Sequence, residues 1–152
     1  MALSAEDYHL AALEHLALAH RAYDAKEYIA THYFSGVAVE CLFRAYSRLI
    51  DDTFRSEHDL ERLAVASRLF NLLPDKSRHR WQAKVGDLNA RWRSSHRYYS
   101  ERALRQYLKK AGLDRKIKGD VLKETARIVR ELAQEIVGLG EAKWRSKKKS
   151  ER

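Results

Sequence analysis

Apolar positions along the chain recur every three to four residues, the spacing of one face of an α-helix. The first such run begins after Ser4, which can cap a helix, and a second covers about residues 29–50, after Asp24. Gly36 lies inside the second run and costs helix propensity, so we expect a close crossing with the first helix there. The short connection between the two runs predicts an antiparallel helical hairpin.

Two further helices are predicted in the middle of the chain. The third covers about residues 57–73, opened by a capping box between Ser56 and Asp59 and closed by Pro74. The fourth covers about residues 75–93, where an apolar stripe recurs at helical spacing. The members of this stripe are Trp81, Val85, Leu88 and Trp92.

The C-terminal third predicts a shorter helix and a long last one. Ser100 can cap the shorter helix and Gly112 can stop it, whereas the last helix follows Asp120. No segment has the alternating pattern of a strand, and one proline among 152 residues is typical of long helices. The pattern therefore predicts an all-α fold: an up-and-down antiparallel four-helix bundle with additional C-terminal helices.

Length and composition indicate one globular domain, which we place at residues 1–142, followed by a basic C-terminal tail at 143–152. Cys41 is the single cysteine, so neither an internal disulfide nor a cysteine-cluster metal site is expected, and we predict no metal and no cofactor. We see no secretory leader and no apolar stretch of membrane-spanning length. The expectation is a cytoplasmic protein without a membrane partner.

The net charge of +9 favours polyanionic partners, nucleic acid above all. Part of the charge lies in the tail, which is either a solvated, frayed end or an arm that binds nucleic acid. The rest is spread along the body, especially from Arg78 to Lys118. Charge alone thus predicts salt-sensitive binding but does not choose between these surfaces.

The segment 91–98 concentrates the side chains that phosphodiester chemistry requires. It holds three arginines, two serines, His96 and Tyr98. Arginine is a permanent forked cation suited to phosphate, and histidine exchanges protons near neutral pH. On a straight helix, positions five apart point about 140° away from each other. Either the helix bends near Ser94, or a second copy of the chain completes the site through two-fold symmetry.

Three stretches of the sequence resemble the HEPN domain family. They are residues 28–44 (YIATHYFSGVAVECLFR), residues 58–63 (HDLERL) and the motif Arg91-x4-His96-x-Tyr98. The third is the most specific, because it matches the Arg-x4-6-His motif of the family with the trailing tyrosine of its toxin branch. The resemblance implies an all-helical homodimer that cuts RNA without a metal, and a minimal nucleotidyltransferase as the antitoxin partner.

The resemblance assigns roles to most of the candidate residues. Arg91 and His96 are the expected catalytic pair, with His96 as general acid or base and Arg91 stabilising the charged phosphate. Products would carry 2′,3′-cyclic phosphate and 5′-hydroxyl ends. The expected substrate-binding residues are Arg93, Ser95, Arg97 and Tyr98. By the same resemblance, Tyr98 is also the expected acceptor of AMP. The role of Glu40 comes from the residues alone: as an acid among apolar residues, it is expected only as a supporting group behind the site.

Two other functions fit the same sequence. Active HEPN proteins usually carry a small polar residue after the motif arginine, whereas this chain has Trp92, so the polar role falls to Ser94 or Ser95. Trp92 is therefore the best argument for a non-catalytic HEPN scaffold that binds nucleotides or a nucleotidyltransferase. In the other alternative, a basic helical protein binds RNA or DNA through its tail, and the motif residues are an ordinary surface arginine and a turn histidine.

Overall fold

The computed structural model describes residues 2–54 and 58–151, and these form six α-helices and no strand. Two short 3-10 helices, Leu69–Leu72 and Ser94–Tyr98, lie between the longer elements. The prediction of an all-α helical bundle is confirmed. Ser56 and Glu57, the first residues of the predicted capping box, lie outside the described residues. The helices are α1 (Ala5–Asp24), α2 (Tyr28–Ile50), α3 (Leu60–Ser67), α4 (Asp75–Arg91), α5 (Glu101–Lys110) and α6 (Val121–Ser150).

Side-chain caps fix where most of these helices begin. Ser4 and Asp7 form a reciprocal capping box at α1, in which the Ser4 hydroxyl accepts from the Asp7 amide. Asp59 accepts from the amide of residue 62 at α3, and Ser100 accepts from the amide of residue 103 at α5. Asp120 accepts from two amides at the start of α6. The caps predicted at Ser4 and Ser100 are therefore confirmed.

Helix α2 lies at the centre of the bundle, where it packs against α1, α3 and α6. Helix α6 also packs against α1 and α4, so this C-terminal helix belongs to the main core. A smaller cluster, centred on Leu104, Leu108 and Leu122, covers α5. No helix in the two described ranges combines the length and the apolar character needed to span a bilayer.

Gly36 permits the close approach of the Trp92 side chain, whereas the sequence suggested a close approach of α1. A Cβ built at Gly36 would lie 1.9–2.2 Å from atoms of the Trp92 indole. The prediction that this glycine serves a close crossing with α1 is therefore wrong, because the group that needs the space is the Trp92 indole. The indole, 1% exposed, occupies the space that a side chain on α2 would need.

Two predicted helix ends are displaced. Helix α3 stops at Ser67 because Arg68 adopts a left-handed conformation (φ 54°), and a 3-10 turn replaces the last predicted turns. Helix α4 stops at Arg91, two residues early, because Trp92 is extended (φ −126°, ψ 135°). The buried indole of Trp92 accompanies this departure from the helix.

The basic segment 143–150 continues α6 without a break. Trp144 is 5% exposed and stacks on His9, with ring centroids 4.4 Å apart, and its edge faces Tyr46. His9 also pairs with Glu141, one helical turn before Trp144. The first residues of the predicted tail are thus packed into the bundle, and the lysines beyond them are exposed on the last helical turns.

Candidate nucleic-acid interface

The candidate segment forms the connection between α4 and α5. After Arg91 the chain becomes extended at Trp92 and Arg93 and then enters the 3-10 turn Ser94–Tyr98. The Trp92 Nε1–H donates to the carbonyl of Tyr33 at 3.2 Å, and the two rings stack with centroids 6.4 Å apart. This anchor fixes the turn against the N-terminal half of α2.

His96 lies on the inner side of the turn and is 2% exposed. Its Nδ1 is 3.2 Å from the backbone nitrogen of Arg93, which can only donate, and 2.9 Å from Nε2 of His32. The rings of Tyr99 and Tyr107 each lie 4.6 Å from the imidazole. Since Nδ1 accepts, a neutral His96 carries its proton on Nε2.

Both histidines are neutral at pH 7. Burial lowers the pKa of His96 to about 4, and the nearby charge of Arg93 adds to the effect. Burial likewise lowers the pKa of His32 to about 3, with a further contribution from His96. A neutral pair needs no counterion, and this fits an apolar environment of aromatic rings.

Arg91 does not join His96 within one chain. Its guanidinium pairs with Asp87 on the preceding turn of α4 and also donates to the Asp87 carbonyl. Arg91 borders a cavity beside α6, whereas His96 borders a different one beside α2. Within the described residues, no hydrogen bond or ion pair joins Arg91 to His96, so the bend after Arg91 does not by itself assemble the expected catalytic pair.

The four expected substrate-binding residues differ from His96 in their exposure to solvent. Arg93, Ser95, Arg97 and Tyr98 are all exposed, Tyr98 to 75%. The Arg97 guanidinium carbon lies 4.7 Å from the centroid of the Tyr98 ring. We call these four residues the turn surface.

Glu40 lies behind the turn surface, at the wall of a small cavity. Its carboxylate accepts from the Arg44 guanidinium and pairs with His58, both at 3.1 Å. The cavity has a volume of about 250 Å³, and its wall also includes Ser95, Arg97 and Tyr98. Glu40 thus has one partner on α2 and one just ahead of α3, and it can support the turn surface from behind.

His32 was not among the candidates from the sequence, although it contacts His96 directly. A signal existed: His32 shares a helical face with Gly36, Val39 and Phe43, which are buried. A histidine on such a face needs a partner, because an unpaired buried polar group is costly. The sequence pattern does not identify that partner, which lies 64 positions away.

Comparisons of this chain with protein-family models, with curated proteins and with solved structures found no match.

Proposed function

We propose that this chain is a HEPN-type helical domain that binds RNA through the turn surface. The observation that carries the proposal is the division of the 91–98 segment: the side chains suited to phosphate and bases face solvent, whereas the imidazole is buried. Of the functions considered for this sequence, non-catalytic binding requires only the exposed side chains of this segment and not the buried imidazole.

The chemistry of the turn surface suits a single strand of RNA. Arg93 and Arg97 can each form forked hydrogen bonds to a phosphate, and the Ser95 hydroxyl can add a further contact. The exposed ring of Tyr98 can stack on a base, and Arg97 already lies over that ring. Because every base has a stacking face, this arrangement favours binding with little sequence preference.

The test compares Arg97→Gln with Arg21→Gln, a change of equal charge at an exposed position on α1. Fluorescence anisotropy with a labelled single-stranded RNA should show a loss of roughly tenfold for Arg97→Gln, as expected for one charge-assisted contact. Arg21→Gln should stay within about twofold. Equal losses in both variants would mean that net charge, and not the turn surface, governs binding.

Cleavage of the bound RNA is a second candidate function, favoured by one observation. Among the described residues, Nε2 of His96 has no hydrogen-bond partner, and His96 borders a cavity of about 510 Å³ together with Arg97. In the tautomer inferred above, this nitrogen carries a buried N–H, and the imidazole would have to become accessible before it could donate to a phosphate oxygen. To act as a base toward a 2′-hydroxyl, His96 would have to move that proton to Nδ1 and give up the Arg93 amide.

Cleavage also requires Arg91, and since one chain does not bring Arg91 to His96, this function depends on a homodimer. The assay incubates RNA with the protein in excess EDTA and maps the ends, which should be 2′,3′-cyclic phosphate and 5′-hydroxyl. His96→Gln, which preserves much of the buried volume, and Arg91→Ala should both abolish cutting while Arg21→Gln retains it. If either His96→Gln or Arg91→Ala still cuts RNA, the mechanism is excluded. If the wild type binds RNA without cutting it, only the binding function remains.

A nucleotidyltransferase partner would act on Tyr98. The hydroxyl belongs to an aromatic side chain that is 75% exposed, which suits an acceptor of AMP. An added phosphodiester would place negative charge among Arg93 and Arg97 and repel RNA. Mass spectrometry after coexpression with a minimal nucleotidyltransferase should find one adenylate on the wild type and none on Tyr98→Phe. An adenylate on Tyr98→Phe would place the modification elsewhere.

A further inference from the structure

A basic cavity of about 770 Å³ lies beside the turn surface, on the other side of the α4 terminus. The end of α4, the connection from α5 to α6 and the first turns of α6 form its wall. The charged residues of this wall are Arg91, Arg115, Lys116, Lys118, Arg127 and Glu124. We call it the loop cavity.

The cations of the loop cavity fall into two groups. Arg91 pairs with Asp87, and Arg127 pairs with Glu124 at 3.0 Å and Glu131 at 2.9 Å, so both guanidinium groups are held in place and largely neutralised. Arg115, Lys116 and Lys118 are exposed, and within the described ranges none of them forms an ion pair. These three residues therefore keep the cavity positive and leave their donors available to a ligand.

Backbone geometry fixes the loop that carries these three cations. Gly112 and Gly119 bracket it with positive φ values of 71° and 91°, which a side chain would strain. The Leu113 amide donates to the Leu108 carbonyl at 2.9 Å, and Asp120 caps α6 immediately after the loop. The guanidinium of Arg115 packs over Gly112, with 3.6 Å from Cζ to the position that a Cβ would occupy.

The loop cavity continues the turn surface along the chain. Arg91 borders the cavity and Arg93 belongs to the turn surface, and two residues span at most about 7 Å. The Tyr107 hydroxyl donates to the Ala90 carbonyl at 2.7 Å and so joins α5 to the end of α4. This short separation places the cavity and the turn surface within reach of one RNA strand.

We propose that the loop cavity binds backbone phosphates of the same RNA strand that crosses the turn surface. This inference rests on the function proposed above and adds a second contact, carried by Arg115, Lys116 and Lys118. Phosphate is the expected ligand because an RNA strand carries closely spaced negative phosphates. Several closely spaced cations without carboxylate partners suit such a row of charges.

The test uses a triple variant, Arg115→Gln with Lys116→Gln and Lys118→Gln. Its matched control, Arg21→Gln with Lys76→Gln and Arg80→Gln, removes the same charge from exposed positions on α1 and the first turns of α4, outside the turn surface, the loop cavity and the basic tail. On α4 these positions lie about 16 Å or more along the helix from Arg91. Thermal unfolding of both variants verifies that the exposed substitutions leave the fold intact.

We expect RNA affinity to fall at least tenfold in the loop variant and no more than about threefold in the control. The slope of log K against log salt should also become shallower by about 2 in the loop variant, since each lost single-strand contact removes about 0.7. Equal effects in the two variants, or no effect in the loop variant, overturn the loop cavity as a phosphate site. If Arg97→Gln weakens RNA binding while the loop variant does not, the turn surface stands and only this further inference fails.

Discussion

At the scale of single residues, the contact between Gly36 and Trp92 decides where the turn surface lies. The indole fills the space above Gly36 and donates to the Tyr33 carbonyl, so the end of α4 is attached to one turn of α2. A hydrophobic pattern identifies Trp92 as a core residue, but it does not specify which helix leaves room for so large a ring.

Gly36→Ala should destabilise the protein, although glycine to alanine inside a helix normally stabilises it by up to about 1 kcal/mol. The added methyl group would overlap the indole, and overpacking of this kind costs about 1–3 kcal/mol. Gly138→Ala is the control, because a Cβ built there meets nothing within 4 Å. Urea unfolding should give opposite signs for the two variants, and a stabilised Gly36→Ala would contradict the packing described for Trp92.

The pair of His32 and His96 should make the free energy of unfolding depend on pH. Unfolding returns their pKa values from about 3 and about 4 to the ordinary 6.5, so the unfolded chain binds more protons below pH 6.5. Stability is therefore full above pH 6.5 and falls as the pH drops toward 4, by up to about 1.4 kcal/mol per pH unit for each group.

Urea unfolding at several pH values between 7 and 4.5 measures this slope. His96→Gln should show a smaller slope than the wild type, because one of the two titrating groups is gone. Gln106→Ala, which replaces an exposed side chain on α5 that does not titrate, should leave the slope unchanged. Identical slopes in His96→Gln and the wild type would show that His96 is not responsible for the pH dependence.

At the scale of elements, the last turns of α6 stabilise the bundle up to Trp144, and the residues after it do not. A chain ended after Lys143 loses this buried ring and its stacking on His9, so we expect a loss of about 3–5 kcal/mol. A chain ended after Ser146 keeps Trp144 and loses only exposed groups, among them the Lys148–Glu6 ion pair, which contributes little. Urea midpoints that agree for the two truncations would mean that Trp144 does not stabilise the bundle.

The helices could be predicted from the sequence because their periodicity and their caps are local. Ser4, Ser100 and Gly112 act within three or four residues of the backbone groups they satisfy. The early end of α4 could not be predicted, because it accompanies packing between positions 36 and 92. The exposed part of the candidate site follows from polar side chains in a turn, whereas the burial of His96 depends on His32 and Tyr107, which are distant in sequence.

At the scale of the whole molecule, self-association and RNA binding should respond to salt in opposite directions. Two chains of charge +9 repel each other, so the homodimer implied by the HEPN resemblance should strengthen as ionic strength rises. RNA binding should weaken over the same range, because salt opposes counterion release. Sedimentation equilibrium of the protein alone measures the first effect and anisotropy the second. A monomer at every salt concentration would exclude the composite cleavage site and leave RNA binding untouched.

The length of α6 has a practical consequence for experiments on this protein. Its 30 residues extend about 45 Å, from the neighbourhood of the loop cavity to the opposite end of the helix. A fluorophore, an affinity tag or a surface tether attached after Ser150 would stand far from Arg115, which lies at the other end of α6. Immobilisation through that end should leave the loop cavity accessible to a nucleic acid in free solution.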